Sequence, residues 1–239
     1  MAKSSSSDPR PEGFGATDLG LALLALASGS TDVMAFLTLG NIFTSAMTGN
    51  MALLAIAIGR GRLIEALLSF LALIGFMFGV AVATAVYNPG KGPARLVLRP
   101  LLLMEIACLA GFAAGWYVVD RSLQSVGLYV LILLSATAMG IQGVSARHIN
   151  APGINTIVFT STLVTIVMSV SGAVTRPSLH PPVRRNTVRQ VGIFLAYGLG
   201  GLLAASLIWR GAGIIPWVPL VAVIGAAGCI ELARSRERA

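Results

Sequence analysis

Charged residues are scarce in this sequence. Of its 239 residues only 11% are charged, against about 25% in a typical soluble domain. Hydrophobic residues make up 56%, and the mean hydropathy is +0.84. The chain is too apolar for an ordinary water-soluble domain, so we predict an all-α polytopic membrane protein.

Cysteine and histidine are equally sparse. Cys108 and Cys229 lie in separate apolar blocks, and His148 and His180 have no neighbour at a metal-ligand spacing. This excludes a disulfide framework and a zinc site of the usual patterns. No Gly-x-Ser-x-Gly elbow, P-loop or Gly-x-Gly-x-x-Gly motif occurs. We therefore expect no enzyme activity, no cofactor and no metal.

Acidic residues are outnumbered, with 9 Asp and Glu against 17 Lys and Arg. The cations lie between hydrophobic blocks rather than on one amphipathic face. This placement is typical of topology signals and not of a nucleic-acid surface. The expected partner is the lipid bilayer, and no nucleic acid is expected.

Eight apolar segments follow a short tail, residues 1–17, whose serines, prolines and mixed charge predict disorder. Most are long enough to cross a hydrocarbon layer, which takes ~20 residues. The second and sixth are the shortest, are rich in Thr, and follow a break that contains Gly or Pro. The segments are 18–39, 42–59, 63–87, 97–119, 123–147, 154–172, 187–209 and 214–233, and residues 234–239 form a second tail.

Two topologies are open, because the second and sixth segments are either short spans or re-entrant helices. Lys and Arg concentrate on the cytoplasmic side of a membrane protein. Eight crossings place 12 of the 17 cations inside, and six crossings place 13 inside. Both schemes predict cytoplasmic termini and a cytoplasmic region at residues 177–186.

The chain aligns with itself. Residues 29–32 match 140–143, residues 44–50 match 156–162, and Phe-Leu-Ala at 70–72 matches the same tripeptide at 194–196. We therefore predict two membrane repeats, 18–121 and 122–233. The halves are inverted if each contains one re-entrant segment, and parallel if every segment crosses.

The repeated motifs carry a resemblance to a known family. Gly29-Ser-Thr-Asp32, Met47-Thr48-Gly49-Asn50, Gly140-Ile-Gln142 with Arg147, and Thr160-Ser161-Thr162-Leu163 resemble the paired motifs of the YoaK family of bacterial membrane proteins of unknown function. The chain departs from the usual family pattern at Gly143, where Asn is usual, and at Ser161, where Gly is usual. The resemblance implies a multi-spanning protein of the bacterial inner membrane.

Two acids lie deep in apolar segments. Asp32 is ~10 Å from the outer end of the first segment, and Glu105 reaches a similar depth in the fourth. A charge at the bilayer centre costs ~2.5–3.5 kcal/mol even on insertion scales. Each acid is therefore either a coupling site for a proton or cation, or a structural hydrogen-bonding group.

Small polar residues recur at matching depth in both halves. The Thr pairs at i and i+4 predict a shared helix face, and Gly49 permits close approach. The alternative is ordinary polar contact between membrane helices. Our candidate substrate-path residues are Asp32, Thr44, Thr48, Gly49, Asn50, Gln142, Thr156, Thr160, Ser161 and Thr162.

These features favour a small-molecule secondary transporter or permease with a central polar site. Its substrate is unknown, and coupling of its transport to protons is one alternative. A short, interrupted segment in corresponding positions of two halves is a pointer to a transporter's site. The alternatives are a non-catalytic scaffold or partner subunit and, less favoured, a membrane enzyme. The sequence does not determine the oligomeric state, and a homo-oligomer is one alternative.

Overall fold

The computed structural model describes residues 15–87, 94–149, 159–175 and 185–236, and all regular structure within these ranges is α-helical. The helices confirm the apolar segments read from the sequence. They are α1 Ala16–Thr38, α2 Met47–Gly59, α3 Leu63–Val86, α4 Ala94–Val118, α5 Val126–His148, α6 Phe159–Thr175, α7 Arg185–Trp209 and α8 Trp217–Arg236.

Length separates the helices into two groups. Among the described residues, five helices (α1, α3, α4, α5 and α7) are long and apolar enough to cross a membrane, and α8 has 20 residues. Helix α2 has only 13 residues, which is ~20 Å of helix against a ~30 Å hydrocarbon core. The chain is therefore a polytopic membrane protein in which α2 is too short to span.

Glycine sets the closest helix contacts. A Cβ atom on Gly79 would overlap the backbone carbonyl of Thr137, and one on Gly75 would press on the backbone of Leu133. Small residues let membrane helices approach backbone to backbone. Gly79 follows Gly75 along α3, and its neighbour Thr137 follows Leu133 along α5, so α3 and α5 are parallel.

Helices α1 and α7 are also parallel. Asp18 and Arg189 form an ion pair near the start of both helices. Towards their other ends, a Cβ atom on Gly201 would touch the side chain of Val33.

Helices α4 and α8 run in opposite directions. Arg99 near the start of α4 bonds Glu231 near the end of α8, with Nε to Oε1 at 2.8 Å. At the other end of α4, the Tyr117 hydroxyl bonds the carbonyl of Gly213, just before α8 begins.

Helices α1 and α5 are antiparallel as well. Gln142 donates to the carbonyl of Leu24, whereas Met139, one turn earlier in α5, contacts the Thr31 hydroxyl, two turns later in α1.

These directions decide the topology. Because α3 is parallel to α5 and α5 is antiparallel to α1, α1 and α3 run in opposite directions. The chain between them, residues 39–62, therefore starts and ends on the same side, and α2 is re-entrant. Helices α5 and α7 likewise run in opposite directions, so α6 lies between two helix ends on one side. These directions contradict the eight-crossing alternative, in which α1, α3, α5 and α7 would all be parallel.

Candidate functional site

The chain leaves α1 through a break that turns back into the protein. Gly40 and Asn41 have φ values of 86° and 61°, a left-handed conformation that glycine adopts without penalty and asparagine tolerates. We call residues 39–46 the break segment. Thr44 and Ser45 in it return to the level of Asp32, six residues before the end of α1 and thus ~9 Å deep.

Asp32 holds the returning chain. Its Oδ1 accepts hydrogen bonds from the backbone N–H of Thr44 at 2.7 Å, the Thr44 hydroxyl at 2.9 Å and the backbone N–H of Ser45 at 2.7 Å. Its Oδ2 accepts from the Ser45 hydroxyl at 2.6 Å and the Tyr197 hydroxyl at 2.8 Å. Asp32 is 1% exposed. We call Asp32, Thr44, Ser45 and Tyr197 the Asp32 clamp.

The two carboxylate oxygens of Asp32 have different chemistry. Oδ1 faces two backbone N–H groups, which can only donate. Oδ2 faces only hydroxyls, which donate or accept as they rotate. The clamp can therefore hold an ionised carboxylate, and it can also hold a proton on Oδ2 if one hydroxyl reverses its role.

Asn50 secures the same segment from the other side. Its Oδ1 accepts from the backbone N–H of Phe43 at 2.8 Å, and its Nδ2 donates to the Phe43 carbonyl at 2.6 Å. The ring of Phe43 lies where a Cβ atom on Gly49 would be, with its Cδ2 2.9 Å from that position. The amide thus replaces the hydrogen bonds that a non-helical backbone would lack in the membrane.

The prediction that Thr44 and Thr48 share a helix face is wrong. Helix α2 begins at Met47, so Thr44 lies in the break segment and not on the helix. Thr44 is buried in the clamp, whereas Thr48 is exposed on the first turn of α2. The Asp32 carboxylate supplies the acceptor that draws the backbone of residues 44 and 45 out of a helical conformation.

Gln142 lies one turn of α1 away from the clamp. Its Nε2 donates to the carbonyl of Leu24 at 2.8 Å and to the Ser28 hydroxyl at 2.9 Å. Its Oε1 has no hydrogen-bond partner in the described part of the chain. The structure does not bring Gln142 into hydrogen-bond contact with Asp32 among the described residues.

Glu105 is the other deep acid. It is 0% exposed, in the middle of α4. Neither carboxyl oxygen has a hydrogen-bond partner within residues 15–87, 94–149, 159–175 and 185–236. The structure therefore separates the two acids: Asp32 is fully hydrogen-bonded, and Glu105 is not.

The second-half candidates are described only in part. Thr156 lies outside the described residues, as do the side chains of Thr160 and Ser161 in α6. Thr162 is 6% exposed and thus buried. The tail predicted at residues 1–17 is described only at residues 15–17, of which Ala16 and Thr17 already belong to α1, and the region 177–186 only at Arg185 and Asn186, the first residues of α7.

Two residues of the clamp were missed. Ser45 and Tyr197 both bond Asp32. A tyrosine in the middle of an apolar segment was the available signal, since its hydroxyl needs a partner. Among the described residues, no three His, Cys, Asp or Glu side chains lie together as metal ligands would.

Comparisons place the chain in a family. A family model described as "Protein of unknown function (DUF1275)" matches residues 20–229. The chain is 32% identical over 225 residues to the UPF0700 transmembrane protein YoaK of Bacillus subtilis (strain 168), covering 91% of this chain and 96% of the relative. No solved structure matches it. The chain belongs to the DUF1275 family, which confirms the resemblance seen in its motifs.

Proposed function

We propose that this member of the DUF1275 family is a small-molecule secondary transporter or permease of the bacterial inner membrane. The observation that carries the proposal is the break segment before α2, which turns back into the bundle to the level of Asp32. Helix α6 is its proposed counterpart in the second half, entering from the opposite side. Non-helical backbone at membrane depth is tolerated where it is buried in protein or lines a cavity. In transporters, interrupted helices of this kind supply the binding site.

The proposal includes two related halves, 18–121 and 122–233. Helix neighbours support it: α1 packs on α7 and α8, and α5 packs on α3 and α4. If α1 is exchanged with α5, α3 with α7 and α4 with α8, each of these contacts becomes another contact of the same set. In both halves the re-entrant helix packs on the helix that follows it, α2 on α3 and α6 on α7.

Glycine contacts support the same correspondence residue by residue. The α1–α7 contact and the α3–α5 contact each contain two glycines, one on either helix, at which a Cβ atom would overlap a backbone carbonyl of the neighbouring helix. The pairs are Gly29 with Tyr197 and Gly200 with Leu26, and Gly140 with Phe76 and Gly79 with Thr137. They equate Gly29 with Gly140, as the sequence alignment does. They equate Tyr197 with Phe76. The alignment of 70–72 with 194–196 would instead equate Tyr197 with residue 73, three positions earlier.

The halves are inverted in this proposal. Helices α1 and α5 would be equivalent, as would α4 and α8, and each pair runs antiparallel. A pseudo-two-fold axis in the membrane plane produces this arrangement.

Both termini are cytoplasmic in the proposed orientation. Six crossings leave four cations outside, Arg60, Arg62, Arg121 and Arg210, and 13 of the 17 inside. The excess agrees with the positive-inside rule.

The Asp32 clamp would gate the substrate path. It joins the tip of the re-entrant segment in the first half to Tyr197 on α7 of the second half. Movement between the halves would change the Tyr197 contact first, because the Thr44 and Ser45 contacts lie within one half. Thr44, Asn50 and Gly49 then shape the tip of the path, and Thr160, Ser161 and Thr162 are their proposed counterparts.

A direct test is uptake into proteoliposomes with a panel of small amino acids, organic acids, sugars and amines, with and without a pH gradient. Transport of one class above protein-free liposomes supports the proposal. The Asp32→Ala variant should lose that transport, and Thr84→Val on the exposed end of α3 should retain it.

A scaffold function is the second candidate, because one observation favours it. Five donors of the protein already bond the two oxygens of Asp32, which a purely structural hydrogen-bonding role would require. Absence of uptake for every class, together with co-purification of one stoichiometric membrane partner, would favour a scaffold.

A further inference from the structure

Three buried oxygen atoms lack a hydrogen-bond donor in the described part of the chain. Two belong to Glu105 on α4, and the third is Oε1 of Gln142 on α5. Both residues are 0% exposed. Buried polar atoms are rarely left unpaired, so we expect a group that donates a hydrogen bond to these oxygens.

The register of α4 against α5 places Glu105 and Gln142 at similar levels along the two helices. A Cβ atom on Gly115 would lie 3.1 Å from Leu131, and one on Gly111 would lie 3.7 Å from Leu134. Because α4 and α5 are antiparallel, the position six residues before Gly111 in α4 lies beside the position six residues after Leu134 in α5. Glu105 is therefore level with residue 140, within ~3 Å along the axis of Gln142.

The surrounding side chains are apolar. Phe112, seven residues after Glu105 and so on the same face of α4, packs in one core cluster with Leu131 of α5. Leu102 and Leu109 beside Glu105 pack in a second cluster with Met139 and Ile141 of α5. A carboxyl group in such surroundings is stable as the neutral acid rather than as a naked charge.

We propose that Glu105 binds a proton in the membrane interior and donates it as a hydrogen bond to Oε1 of Gln142. The amide nitrogen of Gln142 already donates to Leu24 and Ser28, so its oxygen can only accept. A protonated carboxyl is the donor that satisfies both side chains at once. This proton is the coupling ion of the transport function proposed above, on which its role in transport rests.

Few other ionisable groups lie on the helices packed against Glu105. Cys108 is one turn away on α4, and Arg99 is paired with Glu231 of α8. The remaining ionisable groups on these helices, with Tyr87 directly after α3, are Arg95 and Tyr117 on α4, Glu65 on α3, Tyr129, Arg147 and His148 on α5, and Cys229, Arg234 and Arg236 on α8. Among the described residues, no cation forms a hydrogen bond or ion pair with Glu105. Hard metal cations take about six oxygen ligands, twice the number of unpartnered oxygens here, which favours a proton over a metal ion.

Proton release requires access to water. Glu105 loses its proton when the bundle opens on one side, and the carboxylate regains one when it opens on the other. Pro100 lies inside α4, five residues before Glu105, and a proline removes one backbone hydrogen bond of its helix. The missing bond is the one to the carbonyl of residue 96, so the helix is weakest in the turn that ends at Pro100 and contains Arg99 of the Arg99–Glu231 ion pair.

Infrared difference spectroscopy on the protein in liposomes detects the proton directly, through the carbonyl stretch of a protonated carboxyl. We expect this band at neutral pH in the wild type and its loss in Glu105→Gln. Gln142→Leu should keep the band and move it to higher wavenumber, because the hydrogen bond to Oε1 is gone. Glu65→Gln, at an exposed acid on α3, is the control and should change nothing.

The proposal is overturned if the wild type lacks the band, if Glu105→Gln retains it, or if Gln142→Leu leaves its wavenumber unchanged. Loss of the band on adding sodium chloride would identify a sodium site instead. Glutamine at 105 can still donate to Gln142, so the variant should fold. If it does not, the wavenumber in Gln142→Leu decides alone.

Transport separates this proposal from the one on which it rests. With a transported substrate in hand, Glu105→Gln should reduce gradient-driven uptake to the level seen without a gradient. Unchanged gradient dependence would overturn the coupling role. A wild type that transports nothing would refute the transport function, and the infrared result for Glu105 would stand independently.

Discussion

The Tyr197 hydroxyl on α7 donates a hydrogen bond to Oδ2 of Asp32 on α1, 2.8 Å away. In the proposed repeat, the equivalent positions of the other half are Phe76 and Gly143. Both polar groups of this contact are therefore absent from the second crossing together. Under this proposed repeat, only one half contains the Asp32–Tyr197 contact.

Removing the Tyr197 hydroxyl should weaken this unit. A hydrogen bond to a charged group contributes about 1.5–3 kcal/mol, so Tyr197→Phe should lower the unfolding free energy by about that amount in detergent. Tyr129→Phe is the matched control, because no hydrogen bond of the Tyr129 hydroxyl is described. Equal stability of the two variants would contradict the clamp.

Substitutions of Asp32 should differ sharply. Asp32→Ala leaves two buried backbone N–H groups of the break segment unpaired, at about 1–3 kcal/mol each. Asp32→Asn can keep its oxygen towards those groups and turn its NH₂ towards the two hydroxyls. We expect a large drop in melting temperature for Ala and a small one for Asn, measured by tryptophan fluorescence in detergent.

The same Asn variant tests the coupling role predicted for Asp32 from the sequence. If Glu105 is the coupling acid, Asp32→Asn should keep the dependence of uptake on the pH gradient. Uptake that no longer responds to the gradient would return the coupling role to Asp32. The sequence predicts that Gln142→Leu weakens substrate binding at every pH, since an amide does not titrate in this range, whereas the Glu105 proposal predicts an effect that changes with pH.

Alanine at the close helix contacts should be disruptive in both halves. A Cβ atom on Gly29 or Gly140 would overlap a backbone carbonyl of the crossing helix. Gly198→Ala is the control, because nothing lies within 4 Å of its added Cβ atom. We expect Gly29→Ala and Gly140→Ala to reduce the yield of monodisperse protein on size exclusion, and Gly198→Ala to leave it unchanged or raised.

Asn50→Leu should abolish transport, because it removes both hydrogen bonds to the Phe43 backbone and frees the tip of the re-entrant segment. Met51→Leu, at the next and exposed position of α2, is the control. Thr160→Val is predicted to have the same effect in the second half. Normal transport by Asn50→Leu would return Asn50 to an ordinary helix contact.

The six-crossing topology predicts where engineered cysteines react. After replacement of Cys108 and Cys229, a cysteine at Arg60 should react with an impermeant maleimide added to intact cells. One at Ser235, and one within 177–186, should react only after permeabilisation. Protection of position 60 in intact cells would contradict a re-entrant α2.

Composition and hydropathy alone determined the class of protein and the number and order of its apolar segments, but not where α2 begins. A segment of ~20 apolar residues has one stable state in a bilayer, because lipid satisfies no backbone polar group. The sequence also marked Asp32, Asn50 and Glu105, since polar groups at that depth are costly wherever they point. The four-residue spacing of Gly75 and Gly79 is typical of close packing between membrane helices, and both glycines contact the backbone of α5.

Only the tertiary structure decided the partners and the topology. Cation counts differed by one between six and eight crossings, whereas helix directions follow from contacts between residues far apart in sequence. Thr44 was predicted on a helix face because helix periodicity is a local signal. The Asp32 carboxylate overrides it by pairing with backbone groups 12 and 13 residues away. Tyr197 reaches that carboxylate from 165 residues away, a distance that no local pattern encodes.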